Sequence, residues 1–248
     1  MKAILGAVLL DGLGGPPLSD SVVVVAGERI REAGARSAVL IPEEADKIDG
    51  SGKYLVPTPI DISAQKSRAV HLTNADKAAL EAARDAGNPI IGHISMQAAV
   101  RAFVDGGATA FIGMIADTED LDPDLLSRLR NLRIVFAPAL VSQPGASLDV
   151  ARRNTKRLFD AGVPIAVASN GGDVAREPEL LVQAGIPSLD AIVAATQNSA
   201  AALGELNQRG TIQAGKRADL LLLSANPGED IRNLRKVALR MSAGNWLK

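Results

Sequence analysis

Between residues 58 and 204, short apolar segments alternate with segments of helical spacing, and this alternation restricts the chain to few architectures. The candidate strands are 54–60, 68–72, 89–94, 109–115, 133–137 and 163–168. The candidate helices are 75–86, 96–105, 122–131, 149–161, 178–184 and 188–203. In the first helix Ala78, Ala79, Ala82, Ala83 and Ala86 recur at helical spacing, Asn74 stands ahead as a cap and Gly87 closes it. Repeated strand–helix units imply a parallel sheet, open or closed into a barrel. A full eight-unit barrel takes ~250 residues, or roughly 31 per unit, so 58–204 holds only about five or six units. The expected fold class is α/β, with an incomplete (β/α) TIM-like barrel of about six strands.

The flanks read differently. Residues 1–57 show short strands at 2–10, 21–26, 29–34 and 46–48, punctuated by turns at 12–17, 26–28 and 49–52. Val22 to Val25 is a β-branched run that favours a strand. Strands return at 219–223, 237–242 and 245–247, separated by turns at 210–215 and 226–228. The shared character of the two ends predicts one small β-sandwich-like domain composed of 1–57 and 205–248, beside a barrel domain of 58–204.

Composition narrows the function classes. The formal net charge is −1 with mixed signs throughout, so no basic face points to nucleic acid or anionic lipid. With no cysteine, disulfides, thiolate metal sites and a Cys nucleophile are excluded. Aromatic residues make up 2%, so the core must be built from Val, Ile, Leu and Ala. No apolar run approaches the ~18 residues of a membrane span. Asp11 interrupts the apolar run that follows Met1 without a cleavage pattern behind it. A soluble, cytoplasmic protein is expected.

Several stretches resemble the amidohydrolase superfamily, in particular its imidazolonepropionase and Xaa-Pro or Xaa-Arg dipeptidase-like branch. The run from Gly210 to Leu220 (GTIQAGKRADL) and the run from Asn226 to Leu234 (NPGEDIRNL) are similar to the family's strand–turn segments of its small β domain. Leu13 to Pro17 and Ile48 to Lys53 resemble the N-terminal half of that domain. Ser188 to Leu203 looks like the last barrel helix. The likeness spans nearly the whole chain apart from a missing block near 62–68.

The resemblance implies a metal-bound water as nucleophile at the open end of the barrel. A divalent ion lowers that water's pKa towards ~7, which makes hydroxide available for attack on an amide carbon. It also implies ligand positions: a His-x-His pair on strand one, then a lysine or glutamate, two histidines and a final aspartate. In this sequence those positions hold Ser63 and Gln65, then His71, His93, Gly113 and Asn170. Ser63, Gln65, Gly113 and Asn170 are not ligand-like, and asparagine neither carries an anionic oxygen nor accepts a proton at neutral pH. The binuclear site is therefore expected to be lost.

What remains is a pair, His71 and His93, the only histidines in the chain. They support at most a single zinc-like divalent ion, with Asp61 or Asp173 as a carboxylate neighbour; the alternative is a packed, hydrogen-bonded relic. A catalytic zinc takes three protein ligands. The segment from Ser169 to Asp173 is either an anion-holding nest or a turn. A histidine acting as base to Ser63 or Ser95 lacks an orienting third group. Glu177 and Glu179 read as solvated helix-start residues, and Trp246 as a core or interface residue of the small domain. Three functions stay open. They are a catalytically silent homologue that binds a small molecule or a partner, a hydrolase of C–N bonds working through a reduced metal site, and a decaying gene product. The missing units leave strand edges that predict a homo-oligomer.

Overall fold

The computed structural model describes residues 1–64, 67–143 and 145–247. The chain divides into two compact units. One comprises Met1–Pro59, Ser188–Gln197 and Glu205–Lys248; the other comprises Ile60–Pro187 and Asn198–Gly204.

The first unit carries an eight-stranded sheet drawn from both ends of the chain. Its strands are β1 (Lys2–Leu9), β2 (Leu18–Ala26), β3 (Arg29–Ala35), β4 (Asp46–Asp49) and β5 (Tyr54–Pro57), then β10 (Leu220–Leu223), β11 (Val237–Ser242) and β12 (Asn245–Leu247). The order is β12-β11-β10-β5-β1-β2-β3, with β4 also on β1. One edge of β1 serves two partners in parallel: Lys2 to Leu5 face β4, and Val8 and Leu9 face β5. Gly6, at φ +78, sits where the β1–β2 register slips, a backbone position that L side chains avoid.

The Val22–Val25 run is continuous because both of its faces are covered. Val23 and Val25 pack with Ile4, Leu55, Leu220 and Leu222, while Val22 and Val24 pack on the other side with Ala3, Val39 and Ala45. Alternation along a strand sends successive side chains to opposite faces, so a run buried on both faces needs no polar partner positions. Trp246 packs against the first of these clusters. The segment 215–218 pairs with β3, through Ile30 N–H to the Lys216 carbonyl and Ala218 N–H to the Glu28 carbonyl. Gly244 N–H in the β11–β12 turn donates to the Ala218 carbonyl, and a Cβ on Gly244 would collide with the Gly27 carbonyl oxygen.

The second unit contains a four-stranded parallel sheet of β6 (Val70–Leu72), β7 (Ile90–His93), β8 (Ala110–Ile112) and β9 (Val135–Ala137), in that order. Its helices are α1 (Lys77–Asp85), α2 (Gln97–Asp105), α3 (Pro123–Asn131), α4 (Gly145–Asp160), α5 (Arg176–Gln183) and α7 (Ser199–Ala202); α6 (Ser188–Val193) belongs to the first unit. The cap of α1 is Asp76, whose carboxylate accepts from Ala79 N–H, two residues beyond the Asn74 start expected from sequence. Phe111 lies between Phe103 and Phe136, with ring centroids 6.1 and 5.5 Å apart, so three of the chain's four phenylalanines meet in one core. Gly92 lies under the Phe103 ring, where a Cβ would press on it.

Three expectations need correction. The segment 54–60 is not a barrel strand: Tyr54–Pro57 pairs with β1 and β10, and Thr58 N–H continues along β10 to the Asp219 carbonyl. The segment 163–168 is not a regular strand, although Phe136 N–H reaches the Pro164 carbonyl and Ala166 N–H reaches the Phe136 carbonyl. Side chains occupy part of its far side: Asn198 Nδ2 donates to the Ile165 carbonyl and Val167 N–H donates to Ser199 Oγ. The parallel sheet therefore has four strands among the described residues, not six. The helix expected over 188–203 is broken by a π turn at Ala194–Asn198, where Thr196 Oγ1 bonds back to the Ile192 carbonyl.

Candidate functional site

Among the described residues, the site positions named from sequence, Ser63, His71, His93, Gly113 and Asn170, fall in the second unit. His71 lies within β6 and His93 ends β7, so parallel pairing brings the two rings side by side. His71 Nδ1 and His93 Nε2 are 3.1 Å apart, a hydrogen bond in which one ring donates and the other accepts. Partial burial lowers the pKa of both rings, and the neighbouring His71 lowers that of His93 further. Both are thus held towards the neutral form, which leaves an acceptor nitrogen available for this bond.

Ser63 and Asn170 converge as the resemblance implies, but on a different centre. Asp61, 7% exposed, accepts four hydrogen bonds among the described residues. Ser63 donates from its N–H (2.9 Å) and its hydroxyl (2.6 Å). Ser169 donates from its N–H (3.1 Å) and, over a shorter contact, from its hydroxyl. Ser63 Oγ in turn accepts the Asn170 N–H at 2.9 Å. Ile62 N–H donates to the Val167 carbonyl one step back. The segments 61–63 and 169–170 are stitched together around one carboxylate. Ser63 thereby spends its proton on Asp61, which removes it from the reading that pairs it with a histidine base.

Gly113 has φ +108, and a Cβ added there would run into the Ile94 carbonyl oxygen. Its N–H donates to the Ala137 carbonyl, which holds this backbone in place. A histidine cannot occupy the position without moving the main chain. Asn170 is exposed in the left-handed region at φ +48, a conformation that asparagine tolerates better than most residues. The Asp173 carboxylate accepts Ala175 N–H at the start of α5. Ser95 is exposed, and its carbonyl accepts Ala116 N–H. Gln65 lies outside the described residues.

The reading of Glu177 and Glu179 as solvated is wrong. Glu177 is fully buried and Glu179 is 6% exposed. The two Glu177 oxygens accept Leu140 N–H at 2.7 Å and Val141 N–H at 2.8 Å. These donors open the short 3-10 turn Leu140–Ser142, entered through Ala139 at φ +50. Desolvation raises the Glu177 pKa to about 7, against the lowering effect of the two N–H groups, and the charge of Asp61 adds to the rise. Glu179 pairs with Arg176. Sequence spacing carried no sign of this, because a helix-start glutamate reads alike in water and in a core. Asn154 was also missed. It is fully buried, and its Nδ2 donates to the carbonyls of Ile115 at 2.8 Å and Thr118 at 2.9 Å.

These side chains do not suit a binuclear centre. Among the described residues no group of three or more His, Cys, Asp or Glu is placed to hold a metal ion. The His71–His93 pair supplies two nitrogens, one short of the protein ligands a catalytic zinc takes. Asp61, the carboxylate named from sequence, is engaged by two serines.

Comparison with known proteins finds relatives along part of the chain and similar folds along nearly all of it. It is 32% identical over 111 residues to the imidazolonepropionase of Thermoplasma acidophilum, covering 41% of this chain and 27% of that one. It is 33% identical over 105 residues to the imidazolonepropionase of Syntrophobacter fumaroxidans, covering 38% and 25%. The matches thus span about a quarter of these relatives' length. Among solved structures, molinate hydrolase superposes with a TM-score of 0.83 at 14% identity, over 99% of this chain and 94% of that chain. The ochratoxinase of A. niger gives 0.83 at 13% identity, over 100% and 95%. A Xaa-Pro dipeptidase with bound methionine gives 0.80 at 14% identity, over 100% and 99%. At these identities the structures speak for the fold alone. The amidohydrolase family profile matches residues 68–247, most of the chain, and the chain belongs to the amidohydrolase family.

Proposed function

We propose that this chain is a catalytically silent amidohydrolase homologue that binds a small molecule or a protein partner at the carboxyl ends of β6–β9. One observation carries this reading. Where the family resemblance places ligands for a divalent metal, Ser63 and the Asn170 backbone are bonded into the Asp61 cluster, and Gly113 has no room for a side chain. The relatives are named for imidazolonepropionate, Xaa-Pro dipeptides and molinate, so the ligand class we infer is a small compound with a C–N bond. We read the second unit as an incomplete (β/α) barrel, and the sheet of the first as the small β domain formed by both termini. No helix among the described residues is long and apolar enough to cross a membrane.

The test is elemental analysis of protein purified without chelator, together with hydrolysis assays on a panel of amides and dipeptides. Turnover above that of a His71→Ala/His93→Ala control would overturn the silent reading. A second reading has its own support in the two imidazole nitrogens held 3.1 Å apart. In it, His71 and His93 hold a single divalent, zinc-like ion, and the chain is a reduced-site hydrolase. Metal content that falls to background in each single alanine variant, together with turnover, would establish it.

A further inference from the structure

Three buried polar side chains fasten the loops that follow the strands of the second unit. Asn154 on α4 holds the chain after β8 by the carbonyls of Ile115 and Thr118, 39 and 36 residues away. Glu177 on α5 holds the chain after β9 by the N–H groups of Leu140 and Val141, 37 and 36 residues away. Asp61 joins the most distant pair, reaching Ser169 across 108 residues. Each of these side chains is itself buried, where an unmade hydrogen bond is costly.

In a metalloenzyme a shared ion can draw strand ends together from several directions and make part of the fold depend on metal. In this chain the segments 61–63 and 169–170 are joined by hydrogen bonds of their own side chains and backbone. Asp61 lies between them, its charge accepting from both serines, and Ser63 Oγ passes the connection on to Asn170 N–H. No lysine, arginine or histidine pairs with Asp61 among the described ion pairs; hydroxyls and amides satisfy the charge. Charge-assisted bonds of this kind are stronger than neutral ones, and four of them converge on one side chain.

We propose that Asp61 is the permanent tie between segments 61–64 and 167–170, so that their order is independent of any metal ion. The claim stands apart from catalytic silence, since a metal on the histidine pair would leave the Asp61 tie untouched.

Hydrogen exchange by mass spectrometry, combined with thermal unfolding, tests the tie on the full chain. Wild-type protein should have the same Tm, within about 1 °C, after EDTA treatment and with excess zinc, and peptides covering 61–64 and 167–171 should be equally protected in both. In Asp61→Ala those peptides should exchange at least ~10-fold faster while peptides from β1–β3 keep their wild-type rates, and zinc should not restore protection. Ser169→Ala removes one hydroxyl and keeps the carboxylate, so it should fold and show a smaller acceleration confined to the same two peptides. If Asp61→Ala does not fold, Ser169→Ala alone decides. Loss of protection in wild-type protein on chelation would overturn the proposal, as would protection restored by zinc. Unchanged exchange in Ser169→Ala, and in Asp61→Ala where it folds, would also overturn it.

Discussion

The α-carbon of Gly113 faces the carbonyl oxygen of Ile94 so closely that no β-carbon fits between them. At φ +108 the residue also lies where side chains other than hydrogen are strained. Steric overlap and strain act together here. Gly113→Ala should therefore destabilise the protein by about 2–4 kcal/mol, as large backbone penalties do. Chemical denaturation of wild type and variant measures this directly. Gly113→His, which restores the residue implied by the resemblance, should be at least as damaging and should not increase bound zinc.

Glu177 gives a signed pH dependence. Its pKa in the fold is raised to about 7, from 4.5 in the open chain. A raised carboxyl pKa means that its contribution to stability is fully present below pH 4.5 and is lost as pH rises through about 7. Linkage bounds that loss at about 3 kcal/mol. Other groups titrate in this range, so the quantity to measure is the difference between wild type and Glu177→Gln in urea unfolding across pH 4–8. The difference should change steadily between the two pKa values and level off above about pH 8. A difference independent of pH would show that the buried carboxyl titrates normally.

The histidine pair titrates with the opposite sign. Both pKa values are depressed below 6.5, chiefly by desolvation. The stability they contribute is present above pH 6.5 and is lost as pH falls through the depressed values. The chain has two histidines, so their ring signals are separable in an NMR titration. Both should titrate below 6.5 in wild type. In His71→Ala the His93 pKa should move back up, because the neighbouring charge and part of the desolvation are gone.

Strands from both termini complete one sheet, and β10 pairs with β5 and β11. Removing 219–248 deletes β10, β11 and β12 and uncovers Leu55, Val23 and Ile4, which pack against Leu220, Leu222 and Met241. The truncated chain should aggregate on expression. A soluble truncated protein with cooperative unfolding would contradict a shared sheet.

Self-association is the remaining expectation. β6 is the terminal strand of its sheet and pairs only with β7 among the described strands. Free strand edges invite another chain. A two-fold dimer burying at least ~1,000 Å² in total is the simplest outcome. Sedimentation at micromolar concentration should give twice the mass of the 25.7 kDa chain. A monomer under those conditions would remove the expectation.

By itself the sequence determined the local elements and the family. The β-branched run Val22–Val25 and the alanine spacing of α1 are local signals, and they fell where a strand and a helix form. The two histidines also came from sequence, because the family frame marked their places and parallel pairing of β6 with β7 brings such places together. Tertiary structure decided which sheet Tyr54–Pro57 joined, since an apolar strand satisfies its backbone wherever a complementary edge lies. It decided that side chains of Asn198 and Ser199 would complete the backbone bonding of 163–168 in place of a further strand. It also decided that Asp61 and Glu177 would be buried ties. A carboxylate's role is set by the donors that surround it, and apart from Ser63 those donors lie 36 to 108 residues away in the chain.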